Sequence, residues 1–403
     1  MLNKRKLNNS SVVTLFMFTY FISYITRINF AAVIAEMVNA TPFSKTSLSL
    51  AITGISVTYG AGQIISGICG DRISPKKLVT FGLALSAAMN FLIPFCSSAW
   101  QMTVLWCING FAQSFMWPPI VALLTILLPS DAYSRATVKI SWGSSLGTIF
   151  VYLAAPLLIH VSSWKAIFFV SAAAGAIMVF VWNVLCPAVE PAQKNADAKQ
   201  KSKNAVSVFS PIMLCIMLAI ILQGALRDGV TTWMPSYISD TYNLSSVISI
   251  LTGVLLPIFS IVCFHLSERL YNKVFTNPLK CAGIIFGAGA FSALMIQIFT
   301  GVSAAMSVVF SAALTGSMHG VNLMLICMVP AYFKKGGNVS TVSGVLNSCT
   351  YIGSAIYTYG AALISDNFGW GATVSSWTLI AIAGTVVCLA IGYPLSKKTG
   401  IFE

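Results

Sequence analysis

The first long apolar segment of the chain, residues 12–38, reads VVTLFMFTYFISYITRINFAAVIAEMV. A bilayer core about 30 Å thick needs roughly 20 apolar residues in a helix, so this segment is long enough to cross a membrane. Lys4, Arg5 and Lys6 precede it, but it is too long for a signal peptide, and we expect a retained first helix. Arg27 lies near its middle, where a charge costs about 2.5–3.5 kcal/mol. The segment therefore predicts a membrane protein with a functional arginine.

The composition of the whole chain agrees with this prediction. Of the 403 residues, 57% are hydrophobic and 8% are charged, against roughly 25% charged residues in soluble domains. The net charge of +13 comes from basic residues in short loops, without a basic patch interleaved with aromatic residues, so we expect no nucleic-acid partner. The 10 cysteines form no CxxC pair, and we interpret them as small buried residues rather than disulfides or metal ligands.

Apolar segments of sufficient length recur along the chain. Twelve are predicted to span the membrane, namely 12–38, 47–70, 78–98, 101–128, 137–160, 164–187, 211–238, 246–267, 281–300, 303–332, 341–365 and 370–394. Residues 188–210 are polar and rich in lysine, as flexible linkers are. We predict an all-α membrane protein with twelve transmembrane helices in two pseudo-symmetric six-helix bundles, residues 1–187 and 211–403, joined by a cytoplasmic linker.

The distribution of basic residues predicts the orientation of these helices. The N-terminus, the linker, the C-terminal tail and the loops on the same side carry 19 of the 23 lysines and arginines, whereas the opposite side carries Lys45 and Lys165. Loops rich in lysine and arginine lie in the cytoplasm. We therefore expect both termini in the cytoplasm, and the short loops favour a bacterial inner membrane.

The two halves of the chain repeat one another. Arg27 and Arg227 are 200 residues apart, and Gly147 has a counterpart in Gly353. Arg27 follows Val12 by 15 residues and Arg227 follows Ile212 by 15 residues, which is roughly 22 Å of helix in each half. A guanidinium group is a planar fork of donors that matches phosphate or carboxylate oxygens. A repeat of six and six helices is typical of secondary transporters, so the arginines predict a binding site for an anion near the membrane midplane.

Three motifs resemble those of a known transporter family. Residues 67–77, GICGDRISPKK, are similar to the loop after the second helix of the major facilitator superfamily. Residues 109–119, NGFAQSFMWPP, and residues 226–237, LRDGVTTWMPSY, are similar to motifs of its organophosphate:phosphate antiporter family. The resemblance covers nearly the whole chain. It implies the major facilitator fold, and it implies that Arg27 and Arg227 bind the phosphate group of a substrate.

The chain departs from this family in its charged residues. Where the family's antiporters commonly have lysines, this chain has Ile28 and Gln63, and Leu146 stands near the place of a histidine. Asp228 follows Arg227 directly. A monoanion or a carboxylate therefore balances the predicted site better than a dianionic phosphate ester. Asp228 is either a counter-ion or a proton carrier, and we expect no face-to-face pairing with Arg227 because neighbouring helical residues point about 100° apart.

Further polar and aromatic residues belong to the predicted site. The predicted substrate-binding residues are Arg27, Tyr24, Gln63, Gln113, Trp117 and Trp142 in the first half, and Arg227, Gln223, Thr231, His319, Asn347 and Tyr351 in the second. For each polar residue among them, the alternative to substrate binding is a hydrogen bond between packed helices. Residues predicted to control conformational gating are Asp71 and Arg72 after the second span, and Glu268 and Arg269 after the eighth.

These features together predict a secondary active transporter of a small organic anion. The anion is a phosphate ester or a carboxylate, with sugar-derived compounds as candidates, and transport is antiport with phosphate or symport with protons. Two alternatives remain open, a membrane sensor of a phosphorylated metabolite and a proton-driven exporter. We expect no enzymatic activity, no metal and no cofactor, since no Walker loop or HExxH motif occurs. We expect a monomer that contacts only the lipid bilayer and its substrate.

Overall fold

The computed structural model describes residues 9–43, 45–189, 210–244, 252, 255–336 and 338–402. Every regular element within these ranges is a helix, which confirms the prediction of an all-α protein. The predicted linker, residues 188–210, lies almost entirely outside the described residues.

Seven α-helices are described before the predicted linker. They are α1 Asn9–Ala40, α2 Lys45–Gly70, α3 Pro75–Leu92, α4 Ala99–Ser114, α5 Trp117–Leu127, α6 Ser130–Val161 and α7 Trp164–Leu185. The predicted fourth span is divided between α4 and α5, because Pro118 and Pro119 follow Trp117 directly. Proline lacks a backbone N–H and is tolerated in the first turn of a helix. The break between the helices places both prolines in such a turn.

Six α-helices are described after the predicted linker. They are α8 Pro211–Tyr242, α9 Leu255–Lys273, α10 Pro278–Phe299, α11 Ala304–Asn322, α12 Val339–Val386 and α13 Tyr393–Thr399. A π-helical segment, Leu323–Met328, continues α11, and a second, Val387–Gly392, joins α12 to α13. Within α12, Gly369 has non-helical backbone angles, φ 77° and ψ 176°, so the helix is two helices joined at a kink. The kink lies where the prediction separates the last two spans.

The described residues contain 10 helical segments that are long and apolar enough to cross a membrane. Two features account for the difference from the twelve predicted spans. The last two predicted spans are continuous as Val339–Thr399. The predicted span 246–267 is only partly described, with α9 beginning at Leu255. The helices therefore agree with the predicted fold class.

The described residues fall into two compact units. The first is drawn from Met1–Ala196 and Gly336–Val345, and the second from Asp197–Lys335 and Leu346–Glu403. The sequence prediction assigned residues 336–345 to the second bundle, whereas the structure groups them with the first because the start of α12 packs on α2. A Cβ atom added to Gly67 would lie 2.7 Å from the carbonyl oxygen of Ser340. The helices approach this closely because glycine has no side chain.

In each unit, the first described helix packs against a later helix through a glycine. A Cβ atom added to Gly147 of α6 would lie 2.8 Å from the carbonyl oxygen of Phe21 in α1. A Cβ atom added to Gly353 of α12 would collide with the carbonyl oxygen of Ile221 in α8. Phe21 and Ile221 are 200 residues apart, as are the two arginines. The two glycines therefore make equivalent contacts in the two units.

This packing predicts that Gly353→Ala destabilises the second unit. The new methyl group meets a backbone carbonyl, which cannot rotate away, so α8 and α12 must separate, at a cost of about 1–3 kcal/mol. Gly360→Ala on the same helix is the matched control, because nothing lies within 4 Å of its added Cβ. We expect thermal unfolding in detergent to begin at a lower temperature for Gly353→Ala only. Equal melting temperatures for the two variants would contradict the packing argument.

Candidate functional site

Arg27 lies on α1 against the rings of two tyrosines. Its guanidinium carbon is 4.0 Å from the ring centroid of Tyr59 on α2 and 5.4 Å from that of Tyr24. A cation over an aromatic face gains about 0.5–1 kcal/mol, and more where water is excluded. Tyr59 is only 2% exposed, so its ring is a fixed surface for the guanidinium group. The two tyrosine rings therefore orient the guanidinium group of Arg27.

The contacts extend from Arg27 to other predicted residues. Tyr24 packs on Tyr20, with ring centroids 5.2 Å apart, and Tyr20 packs on Trp117 at 5.1 Å. We name Arg27, Tyr20, Tyr24, Tyr59 and Trp117 the Arg27 cluster. The structure thus brings Arg27, Tyr24 and Trp117 together, as predicted for a common site.

Tyr59 is a member of this cluster that the sequence analysis missed. It precedes Gln63 by one helical turn, so both residues share a face of α2. The spacing of one helical turn from Gln63 is the feature of the sequence that would have allowed Tyr59 to be predicted.

Gln63 is fully buried, and neither atom of its amide has a hydrogen-bond partner among the described residues. Trp142 is half-buried on α6, beside the close contact of Gly143 with α1.

Gln113 belongs to a buried polar network within the first unit. Its Nε2 donates to the hydroxyls of Thr26 on α1 and Ser86 on α3, both at 2.8 Å. The hydroxyl of Ser86 also donates to Asn109 at 2.7 Å. Gln113 is 2% exposed. Gln113 therefore hydrogen-bonds between packed helices, which is the alternative to substrate binding considered for this residue.

The network continues through two asparagines. Asn90 donates to the carbonyl oxygens of Thr26 at 2.8 Å and Ser86 at 2.9 Å. Asn29 donates to Asn90 at 2.7 Å and to Ser171 of α7 at 2.9 Å. Polar groups inside a bilayer must find partners within the protein. The network therefore joins α1, α3, α4 and α7 and fixes the helix that carries Arg27.

Arg227 and Asp228 form an ion pair, and the expectation that they would not pair was wrong. The Nε group of Arg227 donates to one carboxylate oxygen of Asp228 at 2.7 Å, and an Nη group donates to the other at 2.9 Å. The angle of about 100° between neighbouring residues holds for their Cβ directions. The arginine side chain is long enough to bend back to its neighbour. The side chains are 15% and 28% exposed.

Polar residues of three helices surround this pair in the second unit. Gln223 is fully buried and donates from Nε2 to the carbonyl oxygen of Met318 at 3.0 Å. His319 follows on α11, and its Nδ1 lies 2.9 Å from the carbonyl oxygen of Thr315 and 3.1 Å from the Ser260 hydroxyl. A carbonyl oxygen only accepts, so Nδ1 carries the hydrogen and Nε2 is the acceptor of the neutral ring.

The remaining predicted residues of the second half lie on α8 and α12. Thr231 donates to the carbonyl oxygen of Arg227 at 2.6 Å, a bond within its own helix. Asn347 is 8% exposed, and Tyr351 is half-buried one turn later. Ser354 lies within hydrogen-bonding reach of Asp228. In the described part of the chain, no three His, Cys, Asp or Glu residues come together as metal ligands would.

Asp71, a predicted gating residue, binds the start of α12. One of its carboxylate oxygens accepts from the backbone N–H of Ser340 and the other from that of Thr341, both at 2.9 Å. The first N–H groups of a helix have no partner within the helix, and a negative charge is stabilised there. Arg72 and Arg269 are exposed, and Glu268 accepts from Asn272 at 2.6 Å. The gating role of these four residues stays a prediction.

Comparison with known proteins identifies the family of this chain. Residues 16–358 match the Major Facilitator Superfamily. The chain belongs to this superfamily. Members of the superfamily are membrane transporters, so the chain is a multi-pass membrane protein of the transporter class.

Relatives within the superfamily include proteins for phosphorylated compounds. The chain is 24% identical to the membrane sensor protein UhpC of Salmonella typhimurium, over 92% of this chain and 88% of that protein. It is 25% identical to the glycerol-3-phosphate transporter of Bacillus subtilis, over 86% and 84%. Sugar phosphate exchanger 3 of Mus musculus is 22% identical over 78% and 73%. The predicted relation to the organophosphate:phosphate antiporter family is confirmed.

Solved structures of the superfamily share the fold. The proton:xylose symporter XylE superposes with a TM-score of 0.75 at 10% identity, over 96% of this chain and 97% of the symporter. The fucose:proton symporter FucP of E. coli superposes with a TM-score of 0.73 at 14% identity, over 94% and 97%. At sequence identities of 10% and 14%, the two superpositions support a common fold and no further conclusion about function.

Proposed function

We propose that the chain transports a small organic anion across the bacterial inner membrane by alternating access. The observation that carries the proposal is the equivalent placement of Arg27 and Arg227. Each lies on the first described helix of its unit, and both helices, α1 and α8, are 32 residues long. Each guanidinium group is oriented by specific contacts, with Tyr59 at 4.0 Å and Asp228 at 2.7 Å. Arginines at membrane depth with oriented side chains support anion binding.

The surroundings of the arginines support a singly charged head group. The predicted site residues include two arginines and one aspartate, and the aspartate, Asp228, is paired with Arg227. A phosphate monoester near neutral pH carries up to two negative charges. A monoanionic phosphate or a carboxylate therefore balances the charges of these three residues, and the aromatic rings beside Arg27 suit the carbon skeleton of a sugar-derived compound. The basic loops support a cytoplasmic location for both termini.

A second candidate function is signalling, because one relative is a membrane sensor protein. A sensor and a transporter of this fold share the anion-binding step. They differ in whether the bound anion crosses the membrane. The proposal of transport therefore requires a flux measurement in addition to binding.

Uptake into proteoliposomes tests the proposal. We expect labelled glycerol 3-phosphate, glucose 6-phosphate or gluconate to accumulate inside vesicles that contain the protein, and not inside protein-free vesicles. Internal phosphate as the driving solute tests antiport, and an imposed pH gradient tests symport. Saturable binding of these probes without uptake would identify a sensor. If a folded protein neither binds nor transports any of them, the proposal is wrong.

A further inference from the structure

Two lysines from different helices of the second unit contact the ring of Tyr393. The Nζ atom of Lys280, in the first turn of α10, is 5.4 Å from the ring centroid, and that of Lys397, near the end of α13, is 5.0 Å from it. Lys280 also lies 4.6 Å from the ring centroid of Phe275. We name Phe275, Lys280, Tyr393 and Lys397 the Lys280 cluster. Because both ammonium groups contact one ring, their positive charges are concentrated on a small surface.

Hydrogen bonds hold the two helices of this cluster together. The Nδ2 group of Asn277, which precedes α10, donates to the hydroxyl of Ser396 in α13 at 2.8 Å. The side-chain oxygen of Asn277 accepts from the backbone N–H groups of Leu279 at 3.0 Å and Lys280 at 3.2 Å. Ser396 is 1% exposed, so the contact between the two elements is buried. The start of α10 and the helix α13 therefore form one fixed surface for the lysines.

The positive charge of the Lys280 cluster is not balanced by the described part of the chain. Among the described residues, neither Lys280 nor Lys397 forms an ion pair with a carboxylate. The first turn of α10 contains no acidic residue, and the N-terminus of a helix is itself its positive end. Two ammonium groups at one ring repel each other. An anion between them would relieve this repulsion, so the cluster has the charge of an anion-binding surface.

The cluster lies where two apolar segments of membrane-spanning length end. These segments are Pro278–Phe299, which begins two residues before Lys280, and Val339–Thr399, which ends two residues after Lys397. Tyrosine is enriched at such ends, at the level of the lipid head groups. Phe291 lies three helical turns after Lys280, on the same face of α10, and is 58% exposed. The charged surface at the membrane boundary is therefore continuous with an apolar surface at membrane depth.

We propose that the Lys280 cluster binds an anionic phospholipid, with the phosphate between Lys280 and Lys397 and an acyl chain along the exposed face of α10. A phospholipid is the anion that combines a charge at the membrane boundary with apolar chains beside Phe291. Basic pockets between membrane helices on the cytoplasmic side bind anionic head groups, and the basic loops support that location for this end of the protein. Neither Arg27 nor Arg227 belongs to the cluster, so the proposal does not depend on the proposed transport function.

Titration of the detergent-solubilised protein with phosphatidylglycerol, followed by native mass spectrometry, tests this proposal. Each lysine near an anionic head group contributes about fivefold in affinity, so Lys280→Gln combined with Lys397→Gln should weaken binding roughly 30-fold. Lys280→Arg combined with Lys397→Arg keeps both charges and should keep the affinity of wild type. Phosphatidylcholine has a zwitterionic head group, and we expect it to bind wild type and both variants equally.

Lys77→Gln combined with Lys139→Gln is the matched control, because it removes two exposed lysines of the first unit. We expect this variant to bind phosphatidylglycerol as wild type does. Equal affinities of wild type and the glutamine variant of the cluster, or an equal loss in the control, overturn the proposal. Displacement of the lipid by inorganic phosphate at a similar concentration would identify a free anion as the occupant and overturn the lipid assignment. Uptake into proteoliposomes is measured separately, so failure of the transport proposal is distinguished from failure of this one.

Discussion

Replacing Arg227 with alanine is expected to weaken anion binding and uptake by about one to two orders of magnitude. A hydrogen bond to a charged group contributes about 1.5–3 kcal/mol, so losing the guanidinium fork lowers affinity by about 10- to 150-fold. Arg227→Lys retains the charge without the planar fork and should recover only part of the affinity. The corresponding substitution of Arg27 should have an effect of similar size. Binding isotherms and proteoliposome uptake measure both effects.

The internal ion pair makes one further variant necessary. Arg227→Ala leaves the carboxylate of Asp228 without the guanidinium partner at 2.7 Å, and breaking a buried pair in this way costs about 3–5 kcal/mol. Loss of binding in that variant then has two explanations, the loss of the binding group and misfolding. Arg227→Ala combined with Asp228→Asn removes both charges, and we expect a folded protein in which binding is weakened to a similar extent. Binding at wild-type affinity by the double variant would contradict the assigned role of Arg227.

A variant that removes a positive charge elsewhere in the protein distinguishes specific anion binding from an effect of net charge. Lys165 lies over the ring of Trp164, with its Nζ 5.7 Å from the ring centroid, at the start of α7. Lys165→Gln removes one positive charge that belongs neither to the Arg27 cluster nor to the Arg227–Asp228 pair. We expect uptake by this variant to equal that of wild type. A reduction as large as that of Arg227→Ala would indicate that net charge, rather than a specific site, controls transport.

Asn90→Ala is expected to cause the largest loss of stability in the first unit. The substitution removes two donated bonds, to Thr26 and Ser86, and the acceptor for Asn29. Two of these three bonds, those with Thr26 and Asn29, join different helices. Interhelical hydrogen bonds in membranes contribute about 0.6 kcal/mol on average, so the two amount to about 1.2 kcal/mol. The side chain of Asn29 loses a buried partner as well, which adds to the cost. Thermal unfolding and the yield of monodisperse protein measure the effect.

Asn367→Ala is the matched control for this network. Asn367 is exposed, and its amide donates to the carbonyl oxygen of Leu363 within its own helix at 2.8 Å. The control removes the same chemical group without breaking a contact between helices. We expect a melting temperature close to that of wild type. If both asparagine variants melt at the same temperature, the network does not stabilise the unit as proposed.

The helices and the depth of the two arginines were predictable from sequence because they depend on short-range properties. The length of an apolar segment determines whether it spans a bilayer. Position within the segment determines the depth of Arg27 and Arg227. The kink of α12 at Gly369 and the break of α4 before Pro118 and Pro119 also follow from local backbone chemistry.

The partners of the functional side chains were not predictable in the same way. Helical periodicity gives the direction of a Cβ atom, whereas the guanidinium group of Arg227 lies several bonds further out and bends to Asp228. The ring beneath Arg27 belongs to Tyr59 on another helix. Gln113 was predicted to bind substrate, but its hydrogen bonds are made to Thr26 and Ser86, on two different helices. Such contacts depend on which helices pack together.

The sequence by itself determined the all-helical membrane fold, the family and the arginine in the first helix of each half. These follow from apolar length, from motif spacing and from the cost of a charge in a bilayer. Only the tertiary structure decided that Arg27 faces aromatic rings and that Arg227 is held by its neighbouring carboxylate. The reason is physical, because the orientation of a long, charged side chain is set by the groups that solvate it, and inside a membrane those groups are supplied by other parts of the fold.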